Sequence, residues 1–311
     1  MRVLVTGATT PVGAGVIDRL LAEPGVEHVL AIGAGPGRDG DPRLTRRAVD
    51  LTRDRAVREL IHGPARGLGI DVVCHLALHR SARHEGPKIH ARNVDATRQL
   101  LRVCAEVPAI RRFVYPSTAA VYALSVSQPT LLDEDAPLEF DPTAPQWVRD
   151  RVEADLTVCA RMGMADVAVL VLRLAEILAP DVGGQLWDYL QSRVCLRPLG
   201  FDPMINLLSL DDATRAITLA ITGRGQGVYN VAGADTLPMS RLIARWGRRD
   251  LPVPGPLLPA LYRLRARLYG FEFRYDLNLR RFHFGGVIDD RRVRTDLGYT
   301  PTAPIRWPTA A

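Results

Sequence analysis

The segment Thr6-Gly7-Ala8-Thr9-Thr10-Pro11-Val12-Gly13 follows a short apolar run and opens an apolar-periodic helix. Backbone amides at such a junction can hold a pyrophosphate, and glycines let the chain come close to it. The chemistry indicated is dinucleotide binding; the plainer reading is a tight turn. Two ionisable side chains lie just past strand ends, where parallel α/β sheets bind ligands: His79 after the fourth strand and Glu176 after the sixth. Either could carry a proton in a reaction, although on a loop each could equally be a solvated group. Asp150, on a helix, is a third candidate of the same kind.

The elements that must position these groups follow from apolar runs and breakers. Arg2–Thr6 reads as a buried strand, Val16–Leu21 as the start of a helix, and His28–Ile32 as a second strand. A short third strand is expected at Ala48–Val49, a helix around Arg53–Ile61 and a fourth strand at Asp71–Leu76. A long helix over Ala91–Ala105, a strand at Arg112–Tyr115, a helix around Trp147–Ala160 and a strand at Val167–Leu172 complete the alternation. Strand alternating with helix argues for an α/β, Rossmann-type, doubly wound parallel sheet. After Pro180 the pattern loosens, and a smaller C-terminal substrate domain is expected there. The expected division is a dinucleotide-binding domain over 1–178, with returning segments near 205–233 and 286–298, and a substrate domain from 179–204 and 234–285.

At the glycine loop the chain resembles the extended short-chain dehydrogenases/reductases, the NAD-dependent epimerase/dehydratase group. These carry Thr-Gly-x-x-Gly-x-x-Gly at this place. Gly7 and Gly13 match the first and third glycines, while Thr10 replaces the second and puts a side chain at the close approach. Further landmarks recur in order: Asp50-Leu51, His75-Leu76-Ala77, Asn93-Val94-x-x-Thr97, Ser209-Leu210-Asp211-Asp212, Val228-Tyr229-Asn230-Val231 and Asp296-Leu297-Gly298-Tyr299-x-Pro301. The resemblance implies a cofactor site at Gly7, Thr9, Thr10, Pro11, Val12 and Gly13, with Asp50 and Leu51 bordering the adenine. It adds Leu76, Ala77, Leu78, Asn93, Ser117 and Arg151. The cofactor is NAD or NADP: the second strand ends on Gly33 instead of the acid that favours NAD, and Arg38 could reach a 2′-phosphate.

The same resemblance implies a catalytic Ser or Thr, a Tyr, and a Lys four residues after the Tyr. Thr118, in Tyr115-Pro116-Ser117-Thr118, falls on the first of these, with Ser117 beside it. The other two fall on Trp147 and Arg151, with Asp155 on the acid that commonly follows. An indole N–H is only a donor, and a guanidinium does not titrate near neutrality. Lys88, the single lysine of the chain, has no Tyr four residues before it, and the spacing of Tyr189 and Arg193 reads as chance. Ordinary dehydrogenase turnover is therefore not expected, and Glu176 and His79 are the candidate replacements. The function expected is an enzyme with non-standard acid–base residues acting on a nucleotide sugar or specialised metabolite. An inactive dinucleotide-binding sensor or partner protein, and a non-redox cyclase, lyase or isomerase, are the alternatives.

Composition bounds the rest. The 311 residues, 47% hydrophobic and 24% charged, suit a globular protein with one large domain and a companion. No apolar run is long enough for a membrane span, and Met1–Thr6 leads directly into the first strand, so a cytoplasmic location is expected. Cys74, Cys104, Cys159 and Cys195 show no metal-ligand spacing, and no metal is expected. The net charge is +6, but residues 241–294 hold 13 Arg against five Asp and Glu, an excess of +8, leaving −2 for the remainder. No nucleic-acid motif accompanies this charge. The partners expected are a small-molecule substrate, acidic or carrier-bound, and a second copy in a homodimer. Leu257, Leu258, Leu261, Leu264 and Leu268 repeat at near-helical spacing among Arg263, Arg265 and Arg267. They read as a substrate-domain helix with a charged outer face, or as a docking face for a phosphorylated substrate, an acidic carrier or a membrane surface.

Overall fold

The computed structural model describes residues 1–33, 40–79, 81–164, 166–270 and 272–308. Seven parallel strands form its main sheet: β1 Arg2–Thr6, β2 His28–Ile32, β3 Leu44–Arg47, β4 Val72–His75, β5 Arg112–Thr118, β6 Ala168–Leu174 and β7 Gly227–Val231. Their order is β3-β2-β1-β4-β5-β6-β7, so the chain reverses direction of travel between β1 and β4. This is the doubly wound arrangement, which opens a ligand crevice at the strand C-termini beside that reversal.

Strict alternation builds a core on each face. Val3 and Val5 enter one cluster and Leu4 the other; Val114 faces the first, and Phe113 and Tyr115 the second. Because both faces are covered, the strands read as continuous apolar runs. The exception is β3. It lies at Leu44–Arg47, ahead of the expected Ala48–Val49. As an edge strand it carries Arg46 and Arg47 and is only half-buried, so the apolar signal that follows it misplaces it. The fifth and sixth strands run further than expected, to Thr118 and Leu174.

A smaller core lies beyond β6. Leu186, Tyr189 and Leu190 of the helix Gln185–Leu190 pack with Leu242, Tyr262, Phe273 and Phe282. Two small sheets support it: Met204–Leu208 between Asp235–Pro238 and Glu176–Ile177, and Val194–Pro198 with Arg249–Val253. Tyr189 is fully buried there, and its hydroxyl donates to the Leu196 carbonyl at 3.2 Å. Its spacing to Arg193 is thus a matter of packing. Cys74, Cys104 and Cys195 are buried, and Cys159 partly so. Among the described residues no helix is long and apolar enough to cross a membrane.

Candidate functional site

The glycine loop is fixed by contact. Gly7 has φ +68°, and a Cβ there would stand 2.6 Å from the Leu76 carbonyl oxygen. A Cβ on Gly13 would stand 2.2 Å from the Gly7 carbonyl oxygen. No larger residue fits at either position without moving backbone. Thr10 needs no glycine: its φ of −80° and ψ of 154° are extended, and its Oγ1 accepts the Gly13 N–H at 2.9 Å. The side chain that the sequence places at the close approach therefore folds back and caps the helix Pro11–Ala22, where Pro11 supplies a pre-set φ. Gly33 backs the loop, since a Cβ there would meet Thr9 at 3.2 Å.

Behind the loop, buried polar groups tie β1 to β4. Thr6 Oγ1 accepts the N–H groups of Leu76 and Ala77 at 3.0 and 3.1 Å. Its proton is then free to go to His75 Nδ1, 2.8 Å away. That leaves Nε2–H to donate to Thr97 Oγ1 at 3.1 Å, and Thr97 to donate to the Asn93 carbonyl at 2.6 Å. The five bonds form one consistent chain only with the Nε2–H tautomer. Burial pushes the His75 pKa down to about 4, so the ring is neutral. Asn93 also accepts the His79 N–H through Oδ1 at 2.8 Å and donates to Asp150 at 3.2 Å. Asp150 accepts from the His90 ring at 2.9 Å, and this bond raises the His90 pKa. Asp50 is held in its own turn by Thr52, whose hydroxyl and amide lower the Asp50 pKa, and Leu51 is buried next to it. Arg38 lies outside the described residues.

A cavity of about 450 Å³ opens beside the loop. Thr10, Pro11, Val12, Leu76 and Leu78 line one side; Ser117, Thr118, Trp147, Arg151 and Glu176 line the middle. Asn206, Leu277, Arg280 and Arg281, from elements around the smaller core, close it. The strand β5 carries Ser117 and Thr118 into it, with different fates. Ser117 Oγ donates to the buried Asp155 at 2.6 Å, and Asp155 pairs with Arg173 at 2.9 Å. Among the described residues Thr118 Oγ1 accepts only the Ala120 N–H, at 3.2 Å, which leaves its own proton to the cavity.

Trp147 and Arg151 stand one turn apart on the helix Gln146–Cys159 and both face the cavity. The Arg151 guanidinium lies 3.5 Å from the Trp147 ring centroid. It donates to the Trp147 carbonyl at 3.1 Å and to the His79 carbonyl at 3.2 Å. Burial lowers its pKa to about 10, which still leaves a cation at neutral pH. The Trp147 indole N–H is buried and has no partner among the described residues.

The remaining acid–base candidates are less free than their positions in sequence suggest. Glu176 accepts the Leu186 N–H and forms an ion pair with Arg281. Arg280 is paired with Glu139 and Asp141. His79 does not line the cavity; its ring meets His84 at 3.0 Å. Two tyrosines that were not singled out in the sequence border the cavity. Tyr122 donates to Asn230 at 2.7 Å, and burial raises its pKa to about 12; burial also raises that of Tyr115. Neither phenol titrates near neutrality. Asp188, in the helix after Glu176, has its carboxyl raised to about 6 by burial, with Glu272 and Glu176 adding negative charge nearby. It does not line the cavity, and nothing in its local sequence marks it.

Comparison with known proteins places this geometry in a family. Residues 3–232 match the NAD dependent epimerase/dehydratase family. An uncharacterized protein of Mycobacterium tuberculosis is 31% identical over 315 residues, 99% of this chain and 81% of the relative. The 3-diazoavenalumate denitrifying reductase of a Streptomyces species is 29% identical over 317 residues, 98% of this chain and 97% of the relative. Among solved structures, the fold is shared with a dTDP-glucose 4,6-dehydratase from Streptomyces venezuelae with NAD bound, at TM-score 0.73 and 20% identity, over 98% of this chain and 93% of that one. It is shared too with the UDP-glucose 4-epimerase of Thermotoga maritima, solved with UDP-glucose, at TM-score 0.72 and 16% identity, over 98% and 94% of the two chains. By the match across most of its length and by its full-length relatives, the chain belongs to the NAD dependent epimerase/dehydratase family.

Proposed function

We propose that this protein is a nicotinamide-dinucleotide enzyme that reduces a small, largely apolar specialised metabolite without a phenol–lysine proton relay. The observation that carries the reading is the Trp147–Arg151 stack, which shares one cavity with the glycine loop and Thr118. Gly7 and Gly13, with the amides at the start of the helix Pro11–Ala22, are the residues that would hold the pyrophosphate. When bound, the dinucleotide supplies the hydride chemistry. Arg151 would contribute a fixed positive charge in the cavity beside the glycine loop and no proton at pH 7.

Reducing a carbonyl builds an oxyanion, and a donor must protonate it. Trp147 cannot, Thr118 is too weak an acid to do so alone, and Glu176 is engaged with Arg281. An acceptor that already carries positive charge poses no such demand. Hydride added to carbon bearing a diazonium group forms C–H, and the C–N pair leaves with N₂, so the step balances without a proton. The name of the Streptomyces relative describes a reductase of this type of substrate, which supports the same acceptor class here.

The cavity walls support an apolar substrate over a nucleotide sugar. Leu124, Leu132, Val148, Ile177, Leu277 and Ile288 line it. Its three arginines each have partners in the protein: Arg280 with Glu139 and Asp141, Arg281 with Glu176, and Arg151 with two carbonyls. A diphosphate would have to displace one of these pairs. Calorimetry with the oxidised and reduced forms of NAD and NADP tests the foundation. Binding of at least one form is expected; no heat from any of the four at millimolar concentration would refute the reading.

A further inference from the structure

The helix Leu258–Tyr269 has two faces. Leu258 and Tyr262 are buried in the core of the small domain. Leu257, just before the helix, and Leu264 and Leu268 within it face outward, while Leu261 between them is partly buried against the core. Leu257 and Leu264 are 54% exposed and Leu268 is 63% exposed. Arg263 and Arg267 are exposed beside them. No Asp or Glu occurs between Asp250 and Glu272. Tyr269, 70% exposed, ends the helix, and Gly270 at φ 66° turns the chain away.

We propose that this helix is a peripheral docking face for a bilayer surface bearing anionic phospholipids. The leucine stripe, about 16 Å long, would sink to the boundary of headgroups and acyl chains, about 5–10 Å deep. The guanidiniums would stay at headgroup level, where their aliphatic stems can lie along the apolar boundary. Several arginines of residues 241–294 are neutralised by carboxylates outside that segment, Arg274 by Glu85, Arg280 by Glu139 and Asp141, and Arg281 by Glu176, so the attraction rests chiefly on Arg263 and Arg267 of the helix itself. Seven of the 15 exposed large apolar side chains among the described residues fall within the same arginine-rich stretch, 241–294. A second copy of the chain fits less well. A two-fold contact through this stripe would bring guanidiniums together with no carboxylate on the helix to separate them.

The test is co-sedimentation of the full-length protein with phosphatidylcholine vesicles and with vesicles containing one-third phosphatidylglycerol. Binding to the anionic vesicles at low salt and its loss at high salt are expected, because the Debye length falls to about 3 Å at 1 M. Arg263→Gln with Arg267→Gln should weaken partitioning roughly 30-fold, in line with the attraction of each basic residue near an anionic surface. Leu264→Glu with Leu268→Glu should abolish it. Both pairs are exposed, and unchanged circular dichroism and dinucleotide binding would show the fold intact. Failure to sediment with anionic vesicles, or binding that survives the Leu264→Glu/Leu268→Glu change, would overturn the proposal. So would retention on polyglutamate without vesicle binding, which would indicate an acidic polypeptide partner. Dissociation of a dimer by the leucine substitutions would instead assign the stripe to a second copy.

Discussion

The guanidinium of Arg151 lies 3.5 Å from the centroid of the Trp147 ring, and both side chains reach the cavity that Thr118 and the glycine loop share. The stack is a cation–π contact between two half-buried side chains, where such pairs are worth about 1–2 kcal/mol. Arg151→Lys should keep the charge but lose the planar stack and the bidentate hold on two carbonyls. We expect a loss of about 1–2 kcal/mol by urea denaturation. An unchanged midpoint would show that the stack carries no stability.

The glycine loop yields a sharper contrast. Gly13→Ala sets a Cβ against backbone oxygen, so dinucleotide affinity should fall below detection and stability should drop by about 1–3 kcal/mol. Thr10→Ala removes only a helix cap, at about 1 kcal/mol. Calorimetry should show Thr10→Ala still binding. If Gly13→Ala binds as well as the wild type, the pyrophosphate site lies elsewhere.

His75 sets a pH dependence of stability. Its folded pKa, about 4, lies below the ordinary value of about 6.5. The unfolded chain therefore binds the proton more readily, and stability is full above pH 6.5 and declines as pH falls towards 4. The shift corresponds to about 3 kcal/mol across that window. Urea titrations at pH 7 and pH 4.5 should show most of this loss, and His75→Gln should flatten it. A wild-type stability that stays level over that range would contradict the buried neutral imidazole.

Breaking the pair between Asp155 and Arg173 should be costly. Both are almost fully buried, and Asp155 also accepts from Ser117. Arg173→Met leaves a carboxylate without its cation, for which about 3–5 kcal/mol is expected. Thermal unfolding of the single variant, and of Arg173→Met with Asp155→Leu, should show partial recovery in the double. No recovery would mean that the pair acts chiefly through Tyr122 and Ser117.

Some of this was legible in the sequence and some was not. The parallel sheet and the loop rest on local signals, apolar runs and the glycines Gly7 and Gly13 at a strand–helix junction, whereas the choice of Thr118, Trp147 and Arg151, which line the cavity, came from the family resemblance. The edge strand Leu44–Arg47 was missed because its exposed side carries charge. The restraint on Glu176 was invisible because Arg281 is 105 residues away. The folded-back Thr10 side chain could have been foreseen, since Thr before Pro is a strong helix-capping signal. His79 was overvalued on position alone: its backbone is held by Asn93 and Arg151 while its ring turns to His84.

The central claim is that reduction here proceeds without a proton from position 147. The most direct measurement follows the loss of reduced-nicotinamide absorbance on two substrate panels, aryl diazonium acids and matched ketones or nucleotide sugars. It compares the wild type with Trp147→Tyr/Arg151→Lys, Glu176→Gln and His79→Ala. The account predicts turnover of the diazonium panel by the wild type, with carbonyl turnover lower by the ~10²–10⁴ that a general acid typically supplies. Carbonyl turnover should rise in Trp147→Tyr/Arg151→Lys. Brisk wild-type reduction of ketones or nucleotide sugars that survives both Glu176→Gln and His79→Ala would contradict it.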